Sequence, residues 1–187
     1  MAVLEVLSYP NPFLRKHAEQ VIHFDDALRQ LVVDMTETMV AEDGVGLAAT
    51  QVGRDLQLLL VHPTALDRDS DPDAPNVVVI NPQCIWQSEE VALGEEGCLS
   101  FPGVFTQVRR PVAVRVSAVD LDQRPFELEG RGFGARALLH EIDHLRGVVM
   151  VDHLSYLARQ RALKKLERNL ADKKASKPGR RDKAAAV

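Results

Sequence analysis

The decapeptide "LLHEIDHLRG", residues 138–147, sets His140 and His144 four residues apart with Glu141 directly after the first. Positions i and i+4 of a helix share a face. Both imidazoles can therefore reach one divalent cation, with Glu141 beside them and within reach of a water held there. At average composition a His-Glu-x-x-His pattern arises by chance in roughly one chain in a few hundred of this length. The plain alternative, two histidines on a polar helix face, leaves the glutamate a coincidence. Two protein ligands hold a catalytic metal poorly, and open sites usually have three with water in the fourth place. Downstream, only His153 remains as a further histidine. Upstream stands a better donor, Cys98 in "GEEGCLSFPG", among glycines that permit close backbone approach. Its thiolate would be a strong, soft ligand for Fe²⁺ or Zn²⁺, although by itself Cys98 reads as a small buried structural residue. Cys84, in the apolar "QCIW", is read only as a small packed residue. A third stretch, "GVGLAATQ" (44–51), is rich in glycine but lacks the lysine of a phosphate loop, and alone it is a tight connection after a helix.

The elements that must position these residues follow from periodicity. Residues 25–41 place Leu28, Leu31, Val32, Met35 and Met39 on one helical stripe, with Asp25 and Asp26 at the end where the helix dipole favours acids. Residues 56–61, 76–80, 112–120 and 126–129 are expected as strands, rich in β-branched residues and bounded by Pro, Asp and Gly. "LDRDSDPDAPN" is an acidic surface loop between the first two. A second helix, from about Ala135 to Arg146, carries the histidines, and Gly147 is placed to end it in a left-handed cap. A last helix, about Tyr156 to Asp172, has Leu163, Leu166 and Leu170 on one side. Strand-rich sequence lying between a front helix and two rear helices favours an α+β fold over alternating βαβ units.

The 187 residues suit one domain that buries its core without staples. Two cysteines are too few for a disulfide scaffold and fit a reducing compartment. No run approaches the roughly 18 apolar residues of a membrane span, and the first residues lack a basic segment leading into an apolar one; a cytoplasmic protein is expected. The net charge of −4 hides an asymmetry. From Arg159 onward eleven Lys/Arg face three acidic residues, a net of +8 that leaves −12 for the body. A basic end on an acidic body suggests a polyanionic partner, with a solvated helix end as the bland alternative.

In order and spacing, "GVGLAATQ", "EGCLS" (96–100) and "HEIDH" (140–144) resemble the three signature motifs of the peptide deformylases. The likeness continues through "LRKHAE", "VVINP" (78–82) and "RGVVMVDHLS", and covers most of residues 2–170. It implies an α+β fold whose antiparallel sheets surround the central metal-binding helix, with a C-terminal helix. It also implies one catalytic domain over 1–170; beyond that, Pro, Gly and charge without an apolar stripe make 171–187 a basic tail that is expected to be flexible. The resemblance implies a metal held by Cys98, His140 and His144. The family's ion is generally Fe²⁺, with Zn²⁺, Ni²⁺ or Co²⁺ able to substitute. The implied reaction is hydrolysis of the N-formyl group from the initiator methionine of new polypeptides. Glu141 would be the general base, and the Gln51 amide and the Leu99 N–H would stabilise the oxyanion. Gly46 would leave backbone groups open to an extended peptide. Val45, Phe133, Ala137 and the stem of Arg136 would surround the methionine side chain, although core packing suits Phe133 and Ala137 equally.

Two positions depart from the family: Leu139 where glutamine usually precedes the first histidine, and Phe105 where some members carry arginine. Neither removes a ligand or the base. Asp143 could support a ligand or be a solvated aspartate, and His17, His23, His62 and His153 have no partner pattern. Two rival functions share these features, a general HExxH metallopeptidase and a non-catalytic ribosome-binding module with a structural metal. The partners expected are formylmethionyl nascent peptides and the ribosome, the latter through the basic helix and tail. No membrane and no sequence-specific nucleic acid are expected.

Overall fold

The computed structural model describes residues 2–176. The expected tail over 171–187 is helical as far as Ser176, and residues 177–187 lie outside the described residues. Helix α1 spans Asp26–Ala41, strand β1 Gly46–Ala48, β2 Leu58–Val61, the short helix α2 Pro63–Leu66, and β3 Val77–Gln87. They are followed by β4 Val91–Gly97, β5 Phe105–Pro111, β6 Ala113–Val119, β7 Pro125–Arg131, α3 Phe133–Leu145 and α4 Tyr156–Ser176. The α+β class is as expected. One antiparallel sheet runs in the order β1-β2-β3-β6-β7, and β4-β5 is a separate antiparallel hairpin.

The five-stranded sheet lies between two helices, which explains why "LLLV" in β2 is apolar at every position. Leu59 and Val61 join Ala135, Leu138, Ile142 and Leu145 of α3 on one face. Leu58 and Leu60 join Leu28, Val32, Met35 and Met39 of α1 on the other. Because successive side chains of a strand point to opposite faces, a strand covered on both sides shows no alternation. Helix α1 begins at the expected place, with the Asp25 carboxylate accepting the Leu28 N–H at 2.9 Å. A third cluster joins Leu14, Phe101, Val108 and Met150 to Ala162 and Leu166 of α4.

Three strands were not expected, and β3 is longer than the run 76–80. In β4 and β5 the positions facing inward include Glu96 and Arg110, a buried ion pair where the alternation would require apolar residues. β3 continues through Asn81 and Pro82 across a register shift between Ile80 and Gln83. There Asn81, at φ +53°, turns its amide onto the backbone N–H and carbonyl of Val21, 2.9 Å from each. β1 is only three residues long and forms one edge of the sheet.

Candidate active site

Helix α3 buries an apolar stripe of Leu138, Ile142 and Leu145 in the core, so that its neighbouring side, with His140, Glu141 and His144, faces the β4–β5 hairpin. It ends as expected. The Val148 N–H bonds the Asp143 carbonyl at 2.9 Å and the Gly147 N–H bonds that of His144 at 3.2 Å, with Gly147 at φ +70°. These two bonds form a Schellman cap. A Cβ at residue 147 would also lie 2.5 Å from the Arg15 carbonyl oxygen, so glycine is required there twice over.

Cys98 follows directly on β4, and its Sγ lies 3.2 Å from His144 Nε2. One donor atom each from Cys98, His140 and His144 lie within 4.8 Å of one another. An ion with bonds of about 2.0–2.3 Å to N and S reaches all three. His140 is already oriented for such a role. Its Nδ1 lies 2.9 Å from Glu96 Oε2, leaving Nε2 for a metal. These residues fit a bound divalent cation.

Glu96 belongs to a buried charge network. Arg110 donates to both of its carboxylate oxygens, at 2.8 and 3.1 Å, and also to Asp143. Asp143 in turn meets His153 Nε2 at 2.7 Å. Arg136 donates to Glu96 at 2.9 Å, to the Val108 carbonyl at 2.8 Å and to the Ala92 carbonyl at 3.2 Å, tying α3 to the hairpin. Burial pushes the Glu96 carboxyl up, but hydrogen bonds from His140 and Arg110 outweigh it and hold the group well below the usual carboxylate range. Asp143, which had two possible roles from the sequence, touches no proposed ligand side chain. It acts on Arg110, one contact further from His140 than Glu96.

Glu141 is buried, and burial raises its carboxyl to about 7. β1 passes so close that a Cβ on Gly46 would meet Glu141 Oε1 at 2.6 Å. Oε2 has no hydrogen-bond partner among the described residues. Gln51 lies in a 3-10 turn, Ala49–Val52, directly after β1. Its Oε1 accepts the Ala48 N–H at 2.9 Å, which aims Nε2 at Cys98 Sγ (3.6 Å) and Ser100 Oγ (3.3 Å). Cys98 to Phe101 form a turn closed by the Phe101 N–H on the Cys98 carbonyl at 2.9 Å. Leu99, second in that turn, has an N–H that donates to no group among the described residues.

These groups meet at a cleft of about 1100 Å³ lined by Val45, Gly46, Gln51, Cys98, Leu99, Phe133, Arg136, Ala137, His140 and Glu141. Of the residues assigned a metal, catalytic or substrate role from the sequence, His144 alone is absent from this lining; it is almost fully buried behind it. Phe105 stands at the cleft and is exposed, whereas Leu139 packs against the core. Arg136 lines the cleft with its guanidinium fixed to the hairpin. Cys84 lies away from the site on β3, near the Trp86 carbonyl. Among the other histidines, His62 accepts the Thr64 N–H at the start of α2. Glu96, Arg110 and Ser100 were not anticipated. Glu96 was detectable in principle, since it stands near the end of β4 only two residues before Cys98, which follows that strand directly.

A cysteine and two histidines converging beside a buried glutamate, where a helix packs against antiparallel sheet, give this small α+β protein a group that could hold a metal ion, as in a metal-dependent enzyme. A model of the polypeptide deformylase family matches residues 3–160, and the chain belongs to that family. A peptide deformylase of Brucella suis is 41% identical over 177 residues, 95% of this chain and 98% of that one. One from Azotobacter vinelandii is 45% identical over 168 residues, 90% of this chain and 96% of that one. The crystal structure of a peptide deformylase from Legionella pneumophila superposes with a TM-score of 0.86 at 39% identity, covering 95% of this chain and all of that one.

Proposed function

We propose that this cleft removes the N-formyl group from the methionine that begins newly made polypeptides, releasing formate and a free amine. The observation that supports it most is the convergence of Cys98, His140 and His144 with Glu141, Gln51 and the free Leu99 N–H at one cleft. A divalent cation held by the cysteine and the two histidines supplies, when bound, the Lewis acidity that lowers the pKa of water from about 15.7 to about 7. Glu141, whose carboxyl burial raises while no cation is bound, stands beside the site to accept the proton of an attacking water and to return it to the departing amine. The Gln51 Nε2 and the Leu99 N–H donate to the formyl oxygen as it gains charge, each such donor typically contributing ~10² to 10³ in rate. Gly46, on the edge strand β1, offers backbone groups to an extended peptide. Val45, Phe133, Ala137 and the stem of Arg136 wall a pocket for the methionine side chain.

The metal is assigned as Fe²⁺, with Zn²⁺, Ni²⁺ or Co²⁺ able to take its place; one thiolate and two imidazoles suit any of them. Protein purified without oxygen should carry iron and lose activity in air, while the nickel form decays more slowly. Full zinc occupancy with full activity after anaerobic isolation would remove the iron assignment. The deciding assay follows formate release from formyl-Met-Ala-Ser beside cleavage of an unformylated protein. Formate from the first and no cleavage of the second separates this activity from a general HExxH peptidase. No formate with metal retained would leave a non-catalytic module.

The cytoplasm, where formylated chains emerge, is the assigned place of action. Helix α4 packs Ala162 and Leu166 inward and leaves Arg161, Lys164, Lys165 and Arg168 exposed, a surface suited to ribosomal phosphates. Leu170 and Lys173 line the cleft, so substitution tests this better than truncation. Replacing the four exposed basic residues by serine should weaken co-sedimentation with ribosomes at low salt and leave hydrolysis of the short peptide intact. Equal sedimentation would exclude α4 as the anchor.

A further inference from the structure

The two donors assigned to the oxyanion come from segments distant in sequence, whose residues Gln51 and Ser100, 49 positions apart, are in direct side-chain contact at 3.3 Å. Nothing in either segment fixes their mutual distance by covalent geometry. The N-terminal segment bridges them. The Leu7 N–H bonds the Gln51 carbonyl at 2.7 Å, and two residues later the Tyr9 N–H bonds the Ser100 carbonyl at 2.9 Å. Tyr9 also stacks its ring on Phe101, with centroids 5.0 Å apart and planes at 20°. Ser100 and Phe101 are the third and fourth residues of the turn whose second residue is Leu99. Tyr9 thus holds that turn at two points, one through its backbone and one through its ring. The same segment continues to the metal-bearing helix. The Arg15 guanidinium lies over the Tyr9 ring at 5.4 Å and donates to the Gly147 carbonyl at 3.3 Å, and the Ala18 N–H bonds the Leu145 carbonyl at 2.8 Å.

We infer that the N-terminal segment, through Tyr9, positions the oxyanion donors: it sets where the Leu99 N–H and the Gln51 amide stand relative to each other. This rests on the assignment of those two groups as oxyanion donors. Tyr9 does not itself line the cleft, whereas Leu4, Glu5, Val6 and Ser8 of the same segment do, so it is a positioning residue. Phe101 is fully buried, so the far side of its ring is packed and the turn is gripped between the core and Tyr9. Loss of the Tyr9 ring removes one side of that grip. A misplacement of about 1 Å in a preorganised donor can cost up to about a hundredfold in rate, and partial loosening falls short of that. Donors that act on the charged transition state more than on the neutral formyl group affect kcat and leave KM largely alone.

The test uses full-length, metal-loaded protein with formyl-Met-Ala-Ser. Tyr9→Ala is expected to lower kcat by about tenfold with KM changed less than about twofold, metal content unchanged, and Tyr9→Phe, which keeps the stacking ring, close to the parent. Tyr9→Leu is measured alongside, since it keeps apolar bulk and folds if the alanine variant does not; it should show the same kcat loss. A cycle with Gln51→Ala separates positioning from plain stability. If Tyr9 works through the oxyanion donors, its penalty shrinks when Gln51 is already gone, because contacting groups couple and independent ones add. Additive penalties, a KM effect as large as the kcat effect, or no loss in any Tyr9 variant would overturn the proposal. Should Gln51→Ala itself leave kcat unchanged, the assignment of that donor fails instead, and Tyr9 is then judged by its kcat loss and the Tyr9→Phe rescue alone.

Discussion

Replacing Glu141 by glutamine separates the chemical role of the carboxylate from its cost to the fold. Burial, where β1 passes close at Gly46, raises its carboxyl from 4.5 to about 7. At about 1.4 kcal/mol for each tenfold in proton affinity, that rise corresponds to about 3 kcal/mol. The folded protein keeps its proton on Glu141 through a range where the unfolded chain has already released it. Stability is therefore fully present below the unfolded pKa and is lost as pH rises through the folded one. Glutamine never ionises. Metal-free Glu141→Gln protein should match the parent near pH 4 and exceed it by about 3 kcal/mol at about pH 8, read from urea unfolding across that range. Loaded with metal, the variant should keep full stoichiometry, because Glu141 is not among the proposed ligands, yet lose about 10²- to 10⁴-fold in formate release. Metal loss in the variant would place Glu141 among the ligands. Parallel pH dependence of the two metal-free proteins would mean the carboxylate is not desolvated, and unchanged turnover would remove it as the base.

Cys98→Ala should lose metal while Cys84→Ala keeps both metal and activity, because Cys84 lies on β3 away from the cleft; metal analysis of the two purified variants decides it. Glu96→Gln should weaken metal affinity by about 10- to 100-fold in a competition titration, since it frees the Nδ1 side of His140. Glu96 is held below the usual carboxylate range, so the stability it contributes is present above a pH of about 4.5 and lost as pH falls below that value; the gap between parent and Glu96→Gln in unfolding free energy should close in acid. Gly147→Ala should destabilise by at least about 1 to 2 kcal/mol in urea unfolding, since it strains a left-handed backbone and also drives a methyl into the Arg15 carbonyl.

The chain alone determined whatever depends on local periodicity. His140 and His144 share a face because a helix advances 3.6 residues per turn whatever surrounds it. The cap at Gly147 and the start of α1 at Asp25 were visible for the same reason, since each depends on a few consecutive residues. Tertiary structure alone decided what depends on register between distant segments. Cys98 reaches His144 only because the β4–β5 hairpin lies against α3. The aim of the Gln51 amide depends on its hydrogen bonds to Ala48 and Ser100, and the turn bearing Leu99 is closed by Phe101 and gripped by Tyr9. β4 and β5 were hidden because Glu96 and Arg110 occupy inward positions. A buried charge is tolerable only when its partners are present, and those partners, Asp143, Arg136 and His140, come from a helix whose packing no strand residue announces. Periodicity is written into each segment, whereas the identity of a cross-chain partner exists only once the segments have packed.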